Sequence, residues 1–259
     1  MLTVLLLSVI QGISEFLPIS SSAHLLVTPW LFGLQDLSLT FDAAIHIGTA
    51  IALLAYFYKD FWQLWKDRSP MLLYIAAASV PAAFVGLVGD KWIEATLHDS
   101  PMAPLIVGVG MILFSFLLLY VDNIAKLNRG SKDIGLKDTL VIGFAQALAL
   151  IPGTSRSGIT MTAGLWRGLK REDAARFSFL LAAPISLGAG MYKAYGLVQN
   201  PNPNLSVVEL AVGILVSCLV GLAVIKWLLK YLGTHNLRLF VIYRIAFGAL
   251  VIAVWLWRF

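Results

Sequence analysis

Two polar stretches interrupt otherwise apolar sequence, SEFLPISSSAH within residues 1–33 and IPGTSRSGIT within residues 138–168. The first carries Glu15, four residues after Gln11 and so on the same helical face. Ser20, Ser21 and Ser22 follow Pro18, and His24 closes the stretch. A carboxylate at membrane depth is costly and points to function rather than packing. Histidine exchanges a proton near neutral pH. The serines either cap the next helix or bind an anion at its N-terminus. Ser21, three positions before His24, can also form a serine–histidine nucleophile pair. In the second stretch Gly153 and Gly158 let backbone approach a ligand, and Thr154, Ser155 and Ser157 offer hydroxyl and N–H groups. Arg156 presents a permanently charged fork that matches phosphate oxygens, and Thr160, one turn on, completes a cradle. A buried Arg156 needs an anionic partner, either Glu15 or a substrate phosphate. Taken together, the groups suit phosphoryl transfer. Arg156 stabilises charge on the phosphoryl oxygens, Glu15 acts as base or holds a divalent cation, and His24 moves a proton. Asp42 and His46, also four apart, read as packing or capping near the end of a span, and Gln146 as a residue that orients the second stretch.

These residues must be held by elements that live in lipid. Of 259 residues 59% are hydrophobic and only 13% charged, and the mean hydropathy is +0.83. A soluble domain carries about 25% charged residues. Six apolar runs, at 41–58, 71–89, 103–121, 174–195, 207–229 and 239–257, are long enough to cross a bilayer as helices. The expected fold is therefore an all-α integral membrane protein with six transmembrane helices. Pro81 and Pro184 are expected to kink their spans. Tryptophans near the span ends read as an interfacial belt. The net charge of +5 is spread over short loops and does not suggest nucleic acid. Cys218, the single cysteine, excludes a disulfide framework. The first ten residues, MLTVLLLSVI, read as mature protein, without a basic leader.

The two interrupted segments read as re-entrant helical hairpins, because broken helix at membrane depth must be buried in protein or line a wet cavity. With both termini outside, thirteen Lys and Arg fall in inside loops and only Lys91, Lys193 and Arg258 outside, a strong positive-inside bias. Arg244 is left near a helix end, and His98 and His235 in solvated loops. Residues 1–259 form one membrane domain whose halves, about 1–122 and 138–259, each read hairpin then three spans. Pro18 answers Pro152, and Asp42-Ala43-Ala44 answers Asp173-Ala174-Ala175. Three spans per half make the repeat inverted, which sets the two tips facing each other near the midplane. Gly213 and Gly221 can serve packing within the chain or a homodimer.

The stretches QGISEFLPISSSAH and PGTSRSGIT together resemble the undecaprenyl-diphosphate phosphatase family, also known for bacitracin resistance, over essentially the full chain. The resemblance implies hydrolysis of undecaprenyl diphosphate to undecaprenyl phosphate and phosphate, which recycles the lipid carrier of cell-wall synthesis. It also implies a cytoplasmic-membrane site facing outside and a divalent cation, Mg2+ or Ca2+. The matching residues are Glu15, His24, Ser20 to Ser22, Ser155, Arg156 and Thr160. The first acidic position of the family motif is Gln11 here, so Glu15 carries the metal or base role alone or with Asp42. A transporter or flippase of the polyprenyl carrier is the competing reading, since inverted repeats with broken helices are common in transporters.

Overall fold

The computed structural model describes residues 1–34, 38–93, 100–199 and 206–258. His98 lies outside these, as do the side chains of Lys91, Trp92 and Lys193. The described residues form ten α-helices: α1 Leu2–Ser14, α2 Ser21–Phe32, α3 Ser38–Lys66, α4 Met71–Ile93, α5 Ala103–Ile124, α6 Leu136–Ala147, α7 Arg156–Trp166, α8 Arg171–Gln199, α9 Val207–Leu232 and α10 Arg238–Arg258. Six of them contain stretches long and apolar enough to cross a membrane: Phe41–Lys66, Met71–Gly89, Ala103–Ile124, Arg171–Met191, Val207–Leu232 and Arg238–Arg258. The all-helical membrane fold expected from hydropathy is what the chain adopts. Helices α3 and α8 run beyond their expected ends, because amphipathic turns such as FWQLWK continue the helix into the interface. Helices α4 and α8 run through Pro81 and Pro184, while a departure from helical angles falls at Phe57 of α3 (φ −99, ψ 15).

The short helices pair as two hairpins, α1 with α2 and α6 with α7. The ends of the second hairpin meet at one end of the bundle, where Arg129 and Arg167 both bind Asp138 at the start of α6. Neighbouring contacts mark the same end: Arg171 donates to Asp122, and the Leu237 N–H donates to its other oxygen. The ends of the first hairpin lie at the opposite end. There the Met1 amino group is 3.7 Å from Glu209 at the start of α9, and Arg258 at the end of α10 donates to the Trp30 carbonyl at 2.7 Å.

The core fixes both breaks. Phe16, fully buried, meets Phe179 of α8 edge to face at 5.6 Å. A Cβ on Gly221 would lie 2.7 Å from the Phe16 ring, and one on Gly213 would lie 2.9 Å from Phe41. Both glycines therefore serve close packing inside the chain. Gly153 (φ +86) serves close packing of the second break. A Cβ there would stand 2.4 Å from the Val107 carbonyl, so the second break presses backbone to backbone against α5.

Candidate active site

Each hairpin breaks in the same way. The residue before α2 is Ser20 (φ 76, ψ 96), and the residue before α7 is Ser155 (φ 71, ψ 114). A non-glycine residue in this region costs on the order of 1–3 kcal/mol, so surrounding contacts must hold it there. In both turns the strained serine pairs with the serine two positions on: Ser20 with Ser22 at 3.3 Å and Ser155 with Ser157 at 3.2 Å. Ser155 also caps α7 by accepting the Gly158 N–H.

The turns touch. Ser157 donates to the Leu17 carbonyl at 2.9 Å. Arg244 of α10, 1% exposed, sends one arm to the Pro18 carbonyl at 3.2 Å and the other to the Gly153 and Thr154 carbonyls at 2.9 and 3.0 Å. The sequence places Arg244 near a helix end and gives it no role. Instead α10 turns it inward, because the two broken helices leave carbonyls without intrahelical donors. A lone arginine in an apolar span was the available signal.

Glu15 caps the C-terminus of α1 and is 8% exposed. Its Oε1 accepts from Arg156 Nη2 at 2.7 Å, and its Oε2 accepts from the Ser21 hydroxyl at 2.5 Å and from Gln11 Nε2 at 3.1 Å. The other arm of Arg156 donates to Ser186 of α8 at 3.1 Å. Ser21 and Arg156 are the first residues of α2 and α7, so the N-termini of two helices converge where these side chains meet. That end of a helix favours anions.

The remaining predicted residues divide. Thr160 faces away from this centre: it donates to the Arg156 carbonyl at 2.8 Å and pairs with Ser178 at 2.6 Å, bracing α7 from behind. His24 does not pair with Ser21. Its Nδ1 lies 2.7 Å from the Ser20 carbonyl, which can only accept, so Nδ1 carries the proton and Nε2 faces the Tyr243 hydroxyl at 2.7 Å. The ring stacks on Phe247 at 4.6 Å. Gln146 makes no side-chain hydrogen bond among the described residues and orients nothing. His46, which the sequence assigned to packing, points its Nε2 at Glu15 Oε2 from 3.9 Å, with Nδ1 donating to the Asp42 carbonyl. Ser186, Tyr243 and Arg244 carry no local motif, and the last two reach the site across more than two hundred residues.

The described residues contain no group of three His, Cys, Asp or Glu that could hold a metal ion by itself. Beside Glu15, however, the amide oxygen of Gln11 is buried without a partner, and the Ser21 hydroxyl is adjacent. One carboxylate and neutral oxygens fit a hard cation that takes its other ligands from water and phosphate, as Mg2+ commonly does.

The comparison with known proteins decides the family. A family model described as bacitracin resistance protein BacA matches residues 4–250. The chain belongs to the BacA family. Its curated relatives include an undecaprenyl-diphosphatase of Moorella thermoacetica, 42% identical with 99% of each chain covered. Another, from Thermodesulfovibrio yellowstonii, is 42% identical with 98% of this chain and 97% of the relative covered. A third, from Elusimicrobium minutum, is 39% identical over 95% of both. In this BacA-family chain both polar stretches lie within the matched residues and converge on one centre, the Glu15–Arg156 contact.

Proposed function

We infer that this chain hydrolyses undecaprenyl diphosphate to undecaprenyl phosphate and orthophosphate. The observation that carries the reading is the Ser21 hydroxyl donating to a Glu15 carboxylate that is held on its other oxygen by Arg156. A protein that only bound and moved the lipid would need no hydroxyl presented to a carboxylate. Relatives named undecaprenyl-diphosphatase support the substrate.

The diphosphate docks at the two helix N-termini, and its terminal phosphoryl group takes the Arg156 fork. Engaging phosphate draws the guanidinium off Glu15 Oε1 and frees that carboxylate to accept a proton. The Ser21 oxygen attacks the terminal phosphorus, its proton passes to Glu15, and the bond to the bridging oxygen breaks, so undecaprenyl phosphate leaves as an anion. Water then attacks the phosphoserine, orthophosphate departs, and Ser21 regains its proton from Glu15. Arg156 and the buried charge of Arg244 stabilise the developing negative charge. His24 and Tyr243 fix the Ser20 turn that presents Ser21. Ser22, Ser155 and Ser157 shape the same cradle. Glu15 with the Gln11 amide oxygen would hold Mg2+ or Ca2+ alongside phosphate oxygens, and the bound cation supplies charge neutralisation to the diphosphate.

We place the protein in the bacterial cytoplasmic membrane with both hairpins re-entrant, both termini outside and the site open to the outside. The charge bias supports this, as does the clustering of Met1, Trp30 and Arg258 at the sparsely charged end. The matching Ser20 and Ser155 turns support an inverted repeat of residues 1–122 and 138–259. Both turns come from one chain, so the site needs no second copy.

The test is phosphate release from a polyprenyl diphosphate by purified protein in detergent with Mg2+, together with acid trapping of the phosphoenzyme. Ser21→Ala should lower turnover by at least about a thousandfold and abolish the trapped phosphate. Absence of phosphate release by the wild type refutes the hydrolase reading. Release with Ser21→Ala near wild type moves the attack to water and leaves Glu15 as its base.

A further inference from the structure

A second polar constellation lies outside the active site, at the basic end of the bundle. The segment between α5 and α6 folds back on the turn between α7 and α8. The Arg129 N–H donates to the Gly168 carbonyl at 3.0 Å, and the Lys170 N–H donates to the Arg129 carbonyl at 2.8 Å. Positive φ at Leu127 (51) and Gly168 (84) lets both strands of this contact turn sharply. The Arg129 side chain locks the fold-back. One arm donates to Asp138 and to the Arg167 carbonyl at 2.9 and 2.8 Å, and the other to Asp138 and the Asp133 carbonyl.

This scaffold encloses a cleft of about 420 Å3 whose lining includes Lys126, Asn128, Arg129, Trp166, Arg167 and Gly168. Three cations there, Lys126, Arg129 and Arg167, meet the carboxylate of Asp138 and, beside Arg129, that of Asp133, which leaves one positive charge in excess. Arg167 spends only its Nε on Asp138, and its terminal nitrogens make no hydrogen bond among the described residues. Lys126 is exposed and makes no ion pair there. Above the cations, Ile124 and Trp166 are 52% and 66% exposed and end the apolar parts of α5 and α7. An amphipathic indole at the end of an apolar helix sits at the level of lipid headgroups. The cleft thus combines fixed excess positive charge, free N–H donors and an apolar rim at one depth.

We propose that this cleft seats the phosphate headgroup of an anionic membrane phospholipid, with the acyl chains running past Ile124 and Trp166. Basic pockets at the ends of transmembrane helices recognise such headgroups through the same combination. The apolar rim favours a lipid over free phosphate. This site is separate from the Glu15–Arg156 centre and does not depend on the reaction assigned there.

Native mass spectrometry of the full chain released from detergent tests this, with dioleoyl phosphatidylglycerol, dioleoyl phosphatidylcholine and inorganic phosphate as probes. The wild type should retain one phosphatidylglycerol in preference to phosphatidylcholine, and millimolar phosphate should not displace it. Lys126→Gln should weaken that retention about fivefold, Arg167→Gln by a similar factor or more, and Lys230→Gln, a cation on α9 outside the cleft, not at all. Arg167→Gln also loosens Asp138, so Lys126→Gln, which breaks no contact of the fold, carries the decision. Equal retention of the two lipids, displacement by phosphate, or an equal effect of Lys230→Gln each overturns the proposal.

Discussion

Removing either charge of the Glu15–Arg156 pair should harm stability and turnover, and removing both should harm stability by less than the two losses added. The pair is 2.7 Å long, with side chains 8% and 17% exposed, so each ion is largely cut off from water. Arg156→Met leaves the Glu15 carboxylate with two neutral donors, Ser21 and Gln11. Glu15→Gln leaves the guanidinium without a counter-ion, beside neutral acceptors only, Ser186 and the amide oxygen that replaces the carboxylate. Breaking a buried pair by deleting one partner costs about 3–5 kcal/mol, while replacing both often costs little. Glu15→Gln/Arg156→Met should therefore be destabilised by less than the sum of the single variants, with a coupling of about 1–3 kcal/mol. Turnover behaves otherwise. Glu15→Gln and Arg156→Met should each lose at least about a hundredfold, and the double variant should recover none of it. Equilibrium unfolding in mixed micelles reads the first quantity, and phosphate release from a polyprenyl diphosphate reads the second. Stability losses that simply add would refute the coupling, and a double variant with turnover near wild type would remove both residues from the mechanism.

Tyr243→Phe removes the hydroxyl partner of His24 but keeps the stacked ring, so turnover should fall by about fivefold, the worth of one neutral hydrogen bond, with no change in KM. An unchanged rate would show that the pair does not steady the Ser20 turn. Asp138 makes the pH prediction. Burial by itself raises its carboxyl, but hydrogen bonds from Arg129, the Gly135 N–H and Arg167 hold it well below the usual carboxylate range. A depressed folded-state value contributes stability that is complete above the unfolded value near 3.9 and is lost as pH falls below it. Thermal unfolding should thus show a loss below about pH 4 that Asp138→Asn flattens, and an identical slope in that variant would assign the loss elsewhere.

Much of this architecture was legible because lipid imposes few solutions. Apolar length marked the six spans, and the pairing of proline with hydroxyls marked both breaks. Glu15 and Arg156 announced themselves through the cost of charged groups among apolar residues, and they do meet. His46 was misjudged because its distance to Glu15 depends on how α3 leans against α1, which no local pattern records. Tyr243 looked like an ordinary aromatic of α10, and its contact with His24 exists only once the chain has closed over 219 residues. Ser20 to Ser22 could not be ranked in sequence, since the left-handed backbone at Ser20 is what separates Ser21, facing the carboxylate, from its neighbours. Thr160 was placed on the correct helix but on the wrong side of it, because its rotation about α7 follows from packing on Ser178.

The Glu15–Arg156 contact also has a consequence for how the protein is made. Its partners are 141 residues apart in sequence. At a synthesis rate of about 5–20 residues per second, roughly 7–28 s pass between the emergence of the carboxylate and that of its counter-ion. Throughout that interval the first hairpin carries an acidic group without the arginine that later neutralises it, and its turn lacks the Arg244 clamp, which arrives later still. The first hairpin therefore gains its counter-ion early in the synthesis of the second half and its Arg244 clamp only when most of that half has been translated, and a ribosome stalled between the two halves would leave an early hairpin for quality control to recognise.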